Sequence, residues 1–147
     1  MDETSQKIAI LKRLREMLLR QREKFQAYLS LLEQQESSIR NDEPEKLLAQ
    51  AEMEQSIIAE IFTLKKVIEP LETLYQAAYP LTESTVPRLK ATLETMAQQV
   101  FAHNASNRHL LKTRMNDLRQ EISSLRSWPK SVSPFAEVVP SLVDITT

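Results

Sequence analysis

Neither glycine nor cysteine occurs anywhere in the 147 residues. Primed hairpin turns, glycine-rich phosphate loops and dinucleotide fingerprints need positive φ, which glycine alone adopts without steric penalty. Those architectures are therefore not expected here. Without cysteine there is no disulfide framework, no thiolate nucleophile and no Cys-ligated zinc, a composition compatible with a reducing cytoplasm. Aromatic residues are scarce, at 5%. No stretch approaches the roughly 18 consecutive apolar residues of a membrane span. Nor does a basic-then-apolar leader open the chain. A soluble cytoplasmic protein that does not insert into membrane is the expectation. The net charge of -1 offers no concentrated basic face for nucleic acid.

What is abundant points to helix. Leu, Glu, Gln, Lys, Arg and Ala dominate, and straight side chains lose little rotamer freedom in a helix. A chain of this length can bury roughly two-thirds of its unfolded surface, enough for one core.

Apolar residues recur seven apart at Leu11, Leu18, Phe25, Leu32 and Ile39, with Leu14 and Tyr28 between them. This spacing predicts one helix over about 4–40. Pairs Glu3 to Lys7, Glu16 to Arg20 and Glu36 to Arg40, in the favourable i to i+4 order, add a few tenths of a kcal/mol each. The segment Asn41-Asp42-Glu43-Pro44-Glu45 reads as stop and restart. There Asp42 is a candidate cap, Glu45 a candidate return partner, and Pro44 a first-turn residue.

A second helix is expected over 43–78, on the stripe Ile57, Ile61, Leu64, Ile68, Leu71, Tyr75 and Ala78. Pro70 interrupts it, and an interior proline removes a backbone bond and crowds the preceding turn. The expectation is a kink that swings one end away and leaves third-helix surface uncovered. Ser84 or Thr85 then caps a third helix over 85–127, with Pro87 in its opening turn. Its seam runs through Leu89, Leu93, Met96, Val100, Asn104, Asn107, Leu111, Met115, Leu118, Ile122 and Leu125, given one extra step of four near Leu111. After Trp128-Pro129 the character changes. Residues 128–147 hold three prolines, few charges and many apolar residues, a tail that could form a short docking helix.

The expected fold is therefore all-α: three long helices in an antiparallel, coiled-coil-like array spanning 1–127, followed by that tail. The three helical segments are net basic, acidic and basic in turn, which suits opposite charges along shared seams.

Chemistry-bearing constellations are few. His103 and His109 lie six apart, not the i, i+4 spacing of a helical metal pair, and read as surface histidines. No Ser, His and acid form a recognisable nucleophile signature, so neither enzymatic activity nor a cofactor is expected. Asn104 and Asn107 fall on the apolar seam, where a buried amide either fixes helix register or marks the opening of a groove. The stripe Leu110, Leu111, Met115, Leu118, Ile122 and Leu125 reads as core. If left uncovered, it is a helix-in-groove docking face.

Three stretches, in this order and spacing, resemble the FlgN family of flagellar export chaperones. They are Leu31-Leu32-Glu33-Gln34-Gln35-Glu36 with Asn41-Asp42 and Leu47-Leu48, then Asn107-Arg108-His109-Leu110-Leu111, then Ser141-Leu142-Val143-Asp144-Ile145. The resemblance implies an ATP-independent chaperone that binds the C-terminal segments of hook-filament junction proteins before export, with the export apparatus as a further partner. It places binding at 107–111 and 135–145, adding Phe135, Val139, Leu142, Val143 and Ile145 to the third-helix stripe. The alternative is a homo-oligomeric coiled-coil scaffold that buries its seam in identical chains and has no client.

Overall fold

A computed structural model describes residues 2–78 and 84–126. The fold is all-α. Helix α1 spans Glu3–Arg40, α2 spans Pro44–Ala78 and α3 spans Thr85–Arg126, and no strand occurs among the described residues. The 128–147 tail lies outside the described residues.

Helix α1 is the hub, because α2 and α3 each pack along it and barely touch each other. Its sequence explains this position. Consecutive pairs Met17 and Leu18, Leu31 and Leu32, and Ser38 and Ile39 are buried together. Neighbouring residues on an α-helix point about 100° apart, so a single flanking helix cannot cover both members of such a pair. Two flanking helices can.

Directions follow from the cross-links. Helix α2 runs antiparallel to α1: Gln21 Nε2 donates to the Ile61 carbonyl at 3.0 Å, and Gln35 Nε2 donates to Glu54 Oε1 at 3.1 Å. Helix α3 runs parallel to α1, with Val86 in the cluster around Leu14 and Leu18, and Val100 against Tyr28 and Leu32.

The basic-acidic-basic pattern is satisfied only in part, because the two basic helices are themselves neighbours. Lys24 pairs with Glu60 between α1 and α2, and Lys90 with Glu72 at 3.2 Å between α2 and α3. Between α1 and α3 the contacts use the acidic groups at the end of α1 instead: Glu36 faces His103, and Asp42 in the turn holds Arg114. Within α1, Glu3 and Glu36 meet Lys7 and Arg40 as expected, whereas Glu16 meets Arg13.

Helix ends show where local chemistry takes over. Asp2 caps α1, its carboxylate accepting the Ser5 N–H at 2.8 Å and so satisfying one of the unpaired first-turn donors. That bond holds the Asp2 carboxyl below its ordinary pKa. At the other end the Glu43 N–H donates to the Ser38 carbonyl at 2.9 Å and the Asp42 N–H to the Ile39 carbonyl at 3.3 Å. This is the double bond pattern of a Schellman ending. It requires a left-handed residue after the cap, and Asp42 supplies it at φ 53. Asp42 therefore closes α1 rather than capping α2, correcting the expected assignment. Glu43 stands at the start of α2 and its carbonyl accepts from Leu47.

At Pro70 the second helix does not break. Helix α2 continues through it, and both Pro70 and Lys66, whose carbonyl loses its partner, lie on the exposed face. Water can satisfy that carbonyl, which limits the cost of the missing bond.

Candidate functional site

The bundle is unevenly filled along its length. Near the start of α1, Leu14, Met17 and Leu18 are essentially sealed with Ile68, Tyr75 and Val86. Midway, Tyr28 and Leu32 meet Val100, Ile57 and Ile61. Beyond that point, toward the α1–α2 turn, no further buried apolar cluster forms among the described residues. A groove of about 640 Å³ takes its place. Its α2 wall is Pro44, Leu47, Leu48, Ala51 and Glu54. Its α3 wall holds Asn104, Asn107, Arg108, Leu111, Met115 and Leu118, and Gln35, Ser38 and Ile39 of α1 form the floor.

The opening has a chemical cause. At the level where three helices would share an interior, the facing positions are Gln35 and Ser38 on α1, Glu54 on α2, and Asn104 and Asn107 on α3. Burying such groups together costs free energy unless each finds a partner. The partners present all run to α1: Gln35 bonds Glu54, and Asn107 Nδ2 donates to the Leu32 carbonyl at 2.8 Å. Each wall is thus pinned to the floor and not to the other wall. Pro70 is not the cause, since it lies toward the opposite, closed end of α2; the groove opens around Pro44 to Glu54.

Asn107 is 4% exposed, and its Oδ1 is buried without a hydrogen-bond partner, a cost of roughly 1–3 kcal/mol. It both ties α3 to one level of α1 and lines the groove, so the two readings of its role coexist. A second pin sits at the rim, where Arg114 Nε donates to Asp42 Oδ1 at 3.1 Å and Nη2 to Oδ2. This two-pronged contact raises the Arg114 pKa, the hydrogen bond contributing more than the unlike charge. Helix α3 then carries on for twelve residues past Arg114, about 18 Å of helix.

Tyr28 stands where the filled and open halves meet. Burial first, and the Glu54 carboxylate second, push its phenol up to about 12, with Arg108 opposing them. His103 lies with Nε2 3.5 Å from Glu36, and His109 is exposed. Among the described residues no three His, Asp or Glu side chains gather as a metal site, and no helix is long and apolar enough to cross a membrane.

Of the residues singled out from sequence, Asn107, Leu111, Met115 and Leu118 come together in the groove. Leu110 is half-buried and is not part of the lining. Ile122 is half-buried and Leu125 is 44% exposed, both on the stretch of α3 past the groove. Phe135, Val139, Leu142, Val143 and Ile145 lie outside the described residues. Sequence reasoning missed the α2 wall and the α1 floor. Their signature was legible: the α2 stripe, traced backward from Ile57, meets Glu54 and Gln50 before reaching Leu47. Polar residues on an apolar stripe mark where a helix stops packing closely.

Fold and groove together define the class: an α1-centred three-helix bundle, closed at one end and grooved at the other. The chain belongs to the same family as an uncharacterized protein of Treponema pallidum (strain Nichols), to which it is 35% identical over 127 residues, covering 86% of this chain and 81% of that protein. No family model matches the chain, and no solved structure matches it.

Proposed function

We propose that the protein is a flagellar export chaperone of the FlgN type, which holds an amphipathic helix from the C-terminal segment of a hook-filament junction protein in the groove between α2 and α3. One observation carries this reading: two helices are pinned to a common floor by polar bonds, and an apolar channel is left between them. A fourth helix laid there would cover the half-buried Leu47, Leu111 and Leu118, with the already buried Met115 between them, which is helix-in-groove recognition. It needs no nucleotide, because the energy comes from apolar burial. Polar groups at the floor limit that energy, which suits a client that must be given up at export in the cytoplasm.

The walls differ in charge. Glu43 and Glu54 stand on the α2 side, and Arg108 and Arg114 on the α3 side. A client helix with basic residues on one flank and acidic residues on the other would seat in one orientation only.

The test is calorimetric titration of candidate C-terminal segments into the chain and into Leu111→Asp and Leu118→Asp variants whose helicity is first verified. Saturable binding that weakens by about tenfold or more, 1.4 kcal/mol, is expected. A chain ending at Trp128 measures what the 128–147 tail adds. Absence of binding to every such segment, or binding indifferent to both substitutions, would remove the proposal.

A further inference from the structure

Helix α2 is apolar on more sides than its neighbours cover. Only Ile68 and Tyr75 of its 35 residues are buried, against ten residues of α1. Helices apolar around most of their circumference are normally enclosed. On the face turned away from α1, Pro44, Leu48, Ala51, Gln55, Ile58 and Phe62 recur at alternating steps of four and three, all exposed. Leu48 is 49%, Ile58 44% and Phe62 55% exposed. This is a coiled-coil seam without a partner.

We infer that this seam pairs with the same seam of a second copy of the chain, the two α2 helices running antiparallel. The charge along its edge selects that occupant. Glu45 and Glu52 flank the seam near the start of α2, and Lys65 and Lys66 lie toward its far end, one turn before Glu69. A helix whose edge changes sign from end to end complements its own reverse. Parallel pairing would instead set Glu52 and Lys66 beside Leu47 and Ile61 of the second copy, with no charge match.

With the twofold axis between Gln55 and Ile58, Ala51 faces Phe62 of the second copy and Gln55 faces its Ile58. Leu48 lies on the aliphatic stem of the other Lys65, and Glu45 flanks the other Lys66. Small opposite large at Ala51 and Phe62 is the size match that lets two helices approach. Lys66 Nζ already sits 4.8 Å from the centre of the Phe62 ring, so the same cation covers the edge of the aromatic contact. The contact from 44 to 69 is about 38 Å long. Its first half, Pro44, Leu48 and Ala51, also lines the α2 wall of the groove, so a second copy and the proposed client would compete there, whereas Gln55, Ile58 and Phe62 lie outside the groove and belong to the pairing alone.

Sedimentation equilibrium of the full chain over about 1 μM to 1 mM tests it. The expected result is a mass rising from one chain to two, with Ile58→Glu/Phe62→Glu staying monomeric at unchanged helicity; both side chains are too exposed for the change to empty the core. Lys66→Glu is expected to weaken pairing and Glu45→Lys/Lys66→Glu to restore it. Because the chain has no cysteine, a mixture of Glu45→Cys and Lys66→Cys chains should cross-link to each other on oxidation. A chain monomeric throughout, a doubly charged variant that pairs like the parent, or Glu45→Cys linking to itself overturns the inference. So does an α2 seam protected from exchange only when client segments are added, since the occupant would then be the client.

Discussion

At one end of the bundle Leu14, Leu18, Ile68, Tyr75 and Val86 lock three helices together. At the other, the same three helices present Gln35, Glu54, Asn104 and Asn107 to a groove. Helix geometry does not distinguish the two ends. What differs is the residue type at equivalent seam positions, and the lesson is that a few polar residues on a continuous stripe turn core into groove. The closed end supplies stability that the open end can forgo. This division is common where binding surfaces are recruited from the less stable parts of a fold.

The sharpest way to break that comparison is to make the same substitution at both ends. Leu14 is fully buried, so Leu14→Ala removes transfer energy and leaves a cavity, and a loss of about 2–5 kcal/mol is expected in urea unfolding. Leu111 is half-buried on the groove wall, where Leu111→Ala should cost no more than about 1 kcal/mol while weakening the proposed client binding. Equal destabilisation at the two sites would show that the groove end is packed as core.

Much of this was readable beforehand. Three helices and the seam of α3 follow from spacing alone, because a 3.6-residue period leaves a strong imprint on long amphipathic segments. The central role of α1 was also encoded, in doublets such as Leu31 and Leu32, but periodicity read one stripe at a time does not reveal a helix with two neighbours. The groove was half visible: its α3 wall lay on a conspicuous stripe, whereas Leu47 and Ala51 lay beyond the point where the α2 stripe turns polar. Asp42 reads from sequence as an N-cap because Asp is equally at home there and in the left-handed conformation. The distant Arg114 that engages its carboxylate is a tertiary fact. In a chain without glycine, the αL position after α1 had to fall to another residue.

Tyr28 offers a finer probe of the boundary between the ends. Its pKa in the folded chain is raised to about 12 against an ordinary value near 10, so folding favours the neutral phenol. The associated stability is fully present below pH 10 and is lost as the pH climbs from 10 through 12. With allowance for solvent near the hydroxyl, the loss is about 1–2 kcal/mol. Tyr28→Phe should lack this component, so the measurement is the difference in unfolding free energy between parent and variant across that window. Parallel curves would mean that the hydroxyl titrates in open groove water and that the sealed region ends lower in the bundle.

The smallest expected effect is at the turn that frames the open end. Asp42 occupies a left-handed conformation while its carboxylate grips Arg114, so two contributions oppose each other there. Asp42→Gly relieves the backbone cost and loses the ion pair; Asp42→Ala keeps the cost and loses the pair. The alanine variant should therefore be the less stable of the two by roughly 1 kcal/mol. Asp42→Asn tolerates the same backbone with no charge, so its deficit isolates the pair and should shrink in high salt. If thermal midpoints instead rank glycine and alanine together, the turn carries no conformational cost. The groove rim would then be set by the Arg114 contact alone, and Arg114→Ala would reproduce the effect of every Asp42 substitution.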